Sequence, residues 1–212
     1  MTALPMRPVQ KVLTTLLWGC CVLAMVSVIG AGLWRRHDSA AEEDLPVLGE
    51  VPAFSLLDQD GHTVTPQALK GKPWLATFVF TRCAGPCPVI TGKMAAFQRS
   101  IKAPNLEFVS FSVDPAYDTP AVLKEYAAKF GADETRWHFL TGEKDAVMAT
   151  ARRMFITALP ATKDQPIIHS EKFILVDAAG KIRGYYDNND AQEMAQLPTD
   201  AQRLAEDAKG GK

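Results

Sequence analysis

The sequence TRCAGPCP (residues 81–88) decides the fold, because it joins a strand pattern to a helix pattern. The run WLATFVF (residues 74–80) before it is continuously apolar, which is typical of a strand inside a sheet. Residues 89–101 after it carry apolar side chains at helical spacing. Cys83 and Cys87 therefore stand at a strand-to-helix junction, which is where thioredoxin-like folds carry a cysteine pair.

The spacing of the two cysteines suggests a shared chemistry. Residues i and i+4 of a helix lie on one face, so we expect Cys83 and Cys87 to point the same way. The positive end of the helix would favour their ionised, nucleophilic form. The pair is then either a redox dithiol or a soft-metal site, with a structural disulfide of modest stabilising effect as the third interpretation.

The remaining pattern alternates strands and helices, which predicts an α/β fold. We expect a thioredoxin-like domain with a central mixed sheet, flanking helices and an extra N-terminal hairpin. The predicted strands and hairpins cover residues 54–64, 74–80, 106–113, 137–140 and 173–186, and the predicted helices cover residues 89–101, 119–130, 143–155 and 190–208.

A long uncharged segment, residues 12–34, precedes this domain. As a helix it would extend roughly 34 Å, enough to cross a bilayer core. Three alternatives fit this segment less well. A cleaved signal peptide has a shorter apolar core, and a lipoprotein acylation site at Cys20 would be unusual with Trp18 two residues before it. The eleven residues before the segment are too few for a mitochondrial transit peptide. We expect a cytoplasmic tail (residues 1–11), a transmembrane anchor (12–34), a tether (35–48) and an outer domain (49–209).

The charge balance argues against nucleic acid as a partner. Of the 23 basic residues only Arg7 and Lys11 precede residue 35, and all 24 acidic residues follow it, so the domain is faintly acidic. Nucleic-acid binding requires a basic surface.

Of the four histidines, His169 is the best candidate ligand, because it stands in a polar loop ahead of an apolar strand. His37 and His62 lie in segments expected to be solvated, and His138 is flanked by core-type aromatic residues. Two thiolates and one imidazole suit Cu(I), whereas a structural zinc site would need a fourth protein ligand.

Several segments together resemble the Sco/SenC proteins, copper-binding thioredoxin-like factors that help to build the copper centre of cytochrome c oxidase. The matching segments are PAFSLLDQDG, FVFTRCAGPCPVITGKM, FSVDPAYDTPAVLKEYAAKFG, WHFLTG and HSEKFILVDAAGKIRGYYD, within residues 51–187. The resemblance maps Cys83 and Cys87 onto the family's copper-binding cysteines and His169 onto its copper-binding histidine. Ala84 and Ile168 depart from the proline and acidic residue that many relatives carry there.

The resemblance implies a copper chaperone anchored by one helix in the bacterial cytoplasmic membrane, with its domain on the periplasmic side. Its partners would be the copper-receiving oxidase subunit, an upstream copper donor and a thiol reductase that reopens a Cys83–Cys87 disulfide. The alternative is a thiol–disulfide oxidoreductase, which needs both cysteines but not His169. A thiol peroxidase lacks support, since no peroxidase-type motif surrounds the cysteines.

Four further residues receive mainly structural interpretations. Asp118 is expected to cap the helix that begins near Thr119, and Pro115 to shape a turn beside Asp114. A position near the metal is the less favoured alternative for Asp114. Met94 and Met148 are expected in the core rather than on the metal.

Overall fold

A computed structural model of the chain describes residues 18–19, 21–28, 30, 44–154 and 171–210, and the backbone of residues 158–159 and 168–169. The chain divides into two compact units, Met1–Asp44 and Leu45–Lys212. In the first unit the described residues 18–30 are helical, and Trp18, Leu23 and Val28 are exposed. Among the described residues no helix is both long enough and apolar enough to cross a membrane. The other residues of the predicted anchor and most of the predicted tether lie outside the described part.

The second unit is built on a six-stranded mixed sheet with the order β1-β10-β9-β4-β5-β6. Strands β4, β5 and β6 are parallel, while β9, β10 and β1 continue the sheet antiparallel. The strands are β1 Gly49–Glu50, β2 Leu56–Leu57, β3 Thr63–Val64, β4 Trp74–Val79, β5 Glu107–Ser112, β6 Trp137–Leu140, β7 Ala158–Leu159, β8 Ile168–His169, β9 Lys172–Val176 and β10 Lys181–Asp187. The helices are α1 Pro66–Leu69, α2 Pro86–Ser100, α3 Pro120–Phe130, α4 Lys144–Arg153 and α5 Ala191–Gly210. The predicted α/β fold with a mixed sheet and an N-terminal hairpin is confirmed.

Helices cover both faces of the sheet, which explains why β4 and β5 are buried along their whole length. Alternate residues of β4 contribute to two separate cores: Leu75 and Val79 pack with α2, α3 and α5, whereas Trp74 and Phe78 pack with α1, α4 and the N-terminal hairpin. A strand buried on both faces loses the alternating polar pattern of a half-exposed strand.

The hairpin β2–β3 lies against the edge strand β6. An isolated bridge joins Leu57 to Thr141. The side-chain amide of Gln59 donates to the carbonyl of Trp137 at 3.0 Å, and its oxygen accepts the N–H of Phe139 at 2.8 Å. Gln59 therefore satisfies backbone groups of β6 in the way that a neighbouring strand would.

Candidate metal centre

The two cysteines stand at the junction of β4 and α2, Cys83 in the loop and Cys87 in the helix. Cys83 is half-buried in a turn and donates its N–H to the carbonyl of Phe80 at 3.2 Å, and Cys87 is fully buried in the first turn of α2. The helix begins at Pro86, three residues before the predicted start, because proline fits the first helical position, where no N–H is needed. Cys83 thus lies outside the helix, and the prediction that the two cysteines share a helix face is wrong.

The thiols nevertheless interact. Burial raises the pKa of the Cys87 thiol far above its ordinary value, a hydrogen bond with the backbone of Phe80 opposes this, and a hydrogen bond with the Cys83 side chain raises the pKa further. At Cys87 the cost of burying a thiolate therefore exceeds the favourable effect of the helix N-terminus. The prediction that helix position makes both thiols readily ionised is wrong for Cys87. No disulfide joins Cys83 and Cys87 in the structure.

Asp118 holds the cysteine loop to the end of β5. Its side chain is fully buried and accepts the N–H of Thr81 at 3.1 Å, the hydroxyl of Thr81 at 2.5 Å and the hydroxyl of Ser112 at 2.6 Å. The helix cap is instead Thr119, whose side chain accepts the N–H of Val122 at 3.4 Å. The predicted capping role of Asp118 is therefore wrong, because its carboxylate points back toward Thr81.

Arg82 makes a second link between the same two loops. Its Nε donates to Asp114 Oδ2 at 3.0 Å and its Nη2 donates to the same oxygen. The guanidinium carbon lies 4.3 Å from the centre of the Tyr117 ring, within the range of a cation–π contact. Asp114 is thus engaged by an arginine beside the cysteine pair. The sequence analysis did not single out Thr81 or Arg82, although both stand directly before Cys83.

His169 lies in the two-residue strand β8, where it pairs with Ala158 of β7. Two residues later, the carbonyl of Glu171 accepts the N–H of Asn188 at 3.0 Å. The carbonyl of Asn188 in turn accepts from Lys93 Nζ of α2 at 2.8 Å. A short chain of hydrogen bonds therefore links the segment after His169 to the helix that carries Cys87.

The other expected residues are placed as follows. Met94 and Met148 are buried in the core, as predicted. The side chain of His62 is 79% exposed and that of His138 is 24% exposed, in agreement with a solvated turn and a position beside the core. His37 lies outside the described residues. Within the described part, Asp58, Asp60 and His62 bring donor atoms to within 4.8 Å of one another at the opposite edge of the sheet from the cysteines.

The comparisons with known proteins agree with this architecture. The family model SCO1/SenC matches residues 46–203. The chain belongs to the SCO1/SenC family. The "SCO1 protein homolog" of Bacillus subtilis is 39% identical over 142 residues, which cover 65% of this chain and 73% of that protein.

Two solved SCO1/SenC structures carry the fold comparison further. BsSco, described as a member of the Sco family of cytochrome c oxidase assembly proteins with a disulfide switch, superposes with a TM-score of 0.67 at 32% identity and covers 77% of this chain and 98% of its own. ScoI of Arabidopsis thaliana with copper bound superposes with a TM-score of 0.63 at 27% identity and covers 74% and 99%, respectively. The thioredoxin-like SCO1/SenC fold is therefore established for the described residues of the second unit.

Proposed function

We propose that this chain is a SCO1/SenC copper chaperone that binds one copper ion through Cys83, Cys87 and His169 and transfers it to the copper-receiving subunit of cytochrome c oxidase. One observation carries the proposal: two neighbouring thiols share a hydrogen bond at the start of α2, in a chain whose solved relatives include a copper-bound form.

The donor set fits copper as cargo. Thiolates are soft ligands that select Cu(I), and a neutral imidazole completes a three-coordinate site. The thiols must lose their protons when the metal binds. The hydrogen-bonded path from Glu171 through Asn188 to Lys93 supports a position of the His169 segment near α2.

The loop before the thiols is held in place at its first two residues. Asp118 binds Thr81, and Asp114 binds Arg82, so Cys83 follows two anchored residues. A pre-organised donor loses less conformational freedom on binding. Transfer to the oxidase subunit then proceeds by ligand exchange, in which the acceptor's donors replace those of the chaperone one at a time.

The thiol pair also provides a redox control. Forming a Cys83–Cys87 disulfide releases two protons and two electrons to an oxidant and removes both sulfur ligands. A thiol reductase must return the two electrons before copper is received again from its upstream donor. The disulfide switch described for BsSco supports this part of the proposal.

The membrane position is also part of the proposal. Residues 12–34 are uncharged, and the described helical residues among them expose apolar side chains, Trp18 at 74% and Leu23 at 69%. A single anchor in the bacterial cytoplasmic membrane, with the domain on the periplasmic side, would bring the copper site to the side where the oxidase copper centre is assembled.

A Cu(I) titration of the reduced full-length chain in detergent, against a competing chelator, tests the metal site. We expect one copper per chain, no competitive binding after Cys83→Ser or Cys87→Ser, and at least about tenfold weaker binding after His169→Ala, or about 1.4 kcal/mol. His62→Ala is the matched histidine control and should bind like the parent. Absence of competitive binding in the reduced parent would contradict the proposal.

The second candidate is a thiol–disulfide oxidoreductase. The half-exposed Cys83 beside the buried Cys87 favours it, because one sulfur can be reached by a target while the other stays protected. A His169→Ala variant that retained full oxidase-assembly activity in cells would support this candidate over the chaperone.

A further inference from the structure

A second cluster of metal-binding side chains lies at the sheet edge opposite the cysteines. The hairpin turn between β2 and β3 supplies Asp58 and His62, and β6 supplies His138. We propose that these three side chains bind a divalent transition-metal ion, independently of the cysteine pair. The proposal does not depend on the copper function.

The two histidines face the same carboxylate oxygen. Asp58 Oδ2 lies 3.6 Å from His62 Nδ1 and 3.9 Å from His138 Nδ1. Donor atoms around a tetrahedral zinc ion, at bond lengths of about 2.0–2.1 Å, stand roughly 3.3 Å apart. Each histidine therefore lies within a few tenths of an ångström of sharing an ion with Asp58. His138 stays outside the group of donor atoms that lie within 4.8 Å of one another, so the exposed ring of His62 must turn toward His138 for all three donors to bind one ion.

Glu107 orients the His138 ring. Its Oε2 lies 3.6 Å from His138 Nε2, and its Oε1 accepts from Lys72 Nζ at 2.5 Å. The Glu107 side chain is only 4% exposed, so its carboxylate is a fixed neighbour of the ring. We assign the ring proton to Nε2, which leaves the Nδ1 lone pair directed toward Asp58. A histidine that ligates a metal commonly donates its other N–H to a carboxylate, and Glu107 Oε2 stands slightly beyond hydrogen-bond distance of that N–H.

Buried acceptor atoms of the cluster lack a hydrogen-bond donor, which points to a cation. His138 Nδ1 and Glu107 Oε2 are buried, and neither has a hydrogen-bond partner. His138 Nδ1 and Asp58 Oδ2 then face each other as two acceptors with no donor between them. Buried polar groups are normally satisfied, and a metal ion accepts a lone pair from both atoms at once.

The hairpin turn uses only one of the two Asp58 carboxylate oxygens. Asp58 Oδ1 accepts the N–H groups of Asp60 at 2.9 Å and His62 at 2.8 Å, as turn aspartates do. Oδ2 is the oxygen directed at the two histidines. Asp60 uses its Oδ1 to accept from Lys124 at 2.6 Å, so we assign the fourth position on the ion to water.

The chemistry of the donors sets the class of metal. Two imidazole nitrogens and one carboxylate oxygen suit Zn²⁺, Ni²⁺ or Cu²⁺, whereas Cu(I) prefers sulfur ligands. Zinc is the appropriate probe because it has no redox chemistry and accepts this donor set in four-coordinate geometry.

Calorimetric titration of Zn²⁺ into an untagged full-length chain carrying Cys83→Ser, Cys87→Ser and His169→Ala tests the proposal. These three changes remove the proposed copper ligands, so the result does not depend on that site. We expect one Zn²⁺ per chain and at least tenfold weaker binding when His62→Ala or Asp58→Asn is added. Glu107→Gln should weaken binding by about 10- to 100-fold, as outer partners of metal ligands do. His37→Ala is the histidine control and should leave binding unchanged.

Thermal unfolding, measured with and without zinc, identifies variants that lose binding because they misfold. His62 is mostly exposed, so His62→Ala should unfold like its parent without metal and lose only the zinc-dependent rise in Tm. No zinc uptake in the triple variant, or uptake unchanged by both His62→Ala and His138→Gln, would overturn the proposal.

Discussion

The two edges of the sheet place metal-binding side chains in different ways. At the edge where β4 ends, both sulfur donors come from one loop and stand four residues apart. At the opposite edge, Asp58 and His62 come from a hairpin and His138 comes from a strand about eighty residues later in the chain. The comparison shows that a motif visible in sequence and a cluster made by folding can serve the same chemistry.

The polar neighbours of the two regions also differ. Around the cysteines, both oxygens of Asp118 and one oxygen of Asp114 accept hydrogen bonds that hold the loop. Around His138, acceptor atoms remain buried without donors. The first region is thus a loop held by its own hydrogen bonds, and the second is a set of acceptors that a cation would complete.

Oxidation should produce the largest difference in metal uptake between the two regions. Treating the full-length chain with a dithiol oxidant forms the Cys83–Cys87 disulfide, while two electrons and two protons pass to the oxidant. We expect Cu(I) uptake by the cysteine site to be lost, while the part of the Zn²⁺ uptake that His62→Ala removes stays unchanged, as measured by titration of both forms with and without that substitution. Loss of both activities on oxidation would mean that the two regions are not independent.

The next effect concerns two aspartates that hold loops at opposite edges. Asp118→Ala removes a fully buried acceptor of three hydrogen bonds and should lower the free energy of unfolding by about 3 kcal/mol. Asp58→Ala removes the acceptor of two backbone N–H groups in a turn and should cost about 1 kcal/mol.

Urea denaturation of the metal-free protein measures both aspartate variants, with the exposed Asp207→Ala as control. Equal losses for Asp118→Ala and Asp58→Ala would contradict the view that the cysteine loop is the more firmly anchored of the two.

The smallest effect concerns the two ends of α3, which runs back from the cysteine edge to the opposite edge. Gly131 ends the helix with a φ of 65°, so Gly131→Ala should cost about 1 kcal/mol. Thr119 begins it with a cap bond of 3.4 Å, and Thr119→Ala should cost about 0.5 kcal/mol because that bond is long. Denaturation midpoints in urea rank the two variants; a larger loss at Thr119 would reverse the expected order.

The sequence predicted the elements whose patterns are local. Strand β4 follows from a nearly continuous apolar run, β5 follows from the segment LEFVSFSV, and the end of α3 follows from Gly131. The start of α2 was misplaced because the apolar periodicity begins at Val89, although Pro86 already satisfies the first-turn rule. A closer weighting of that proline would have put Cys87 inside the helix and Cys83 outside it.

Long-range contacts were beyond the reach of the sequence. Asp118 has an ordinary local explanation as a cap, and only the fold shows that Thr81 lies within reach of its carboxylate. His62 and His138 were correctly interpreted one at a time, as solvated and as structural. Their shared contact with Asp58 depends on the hairpin docking against β6, which no spacing in the sequence specifies.

The contact of Gln59 with β6 has a consequence for how the protein behaves at high concentration. An open edge strand offers its backbone to any other chain and can start aggregation. Because the side chain of Gln59 occupies the carbonyl of Trp137 and the N–H of Phe139, a second molecule cannot add a strand there without displacing it. The side-chain amide of Gln59 thus keeps the edge strand β6 from pairing with a strand of a neighbouring copy.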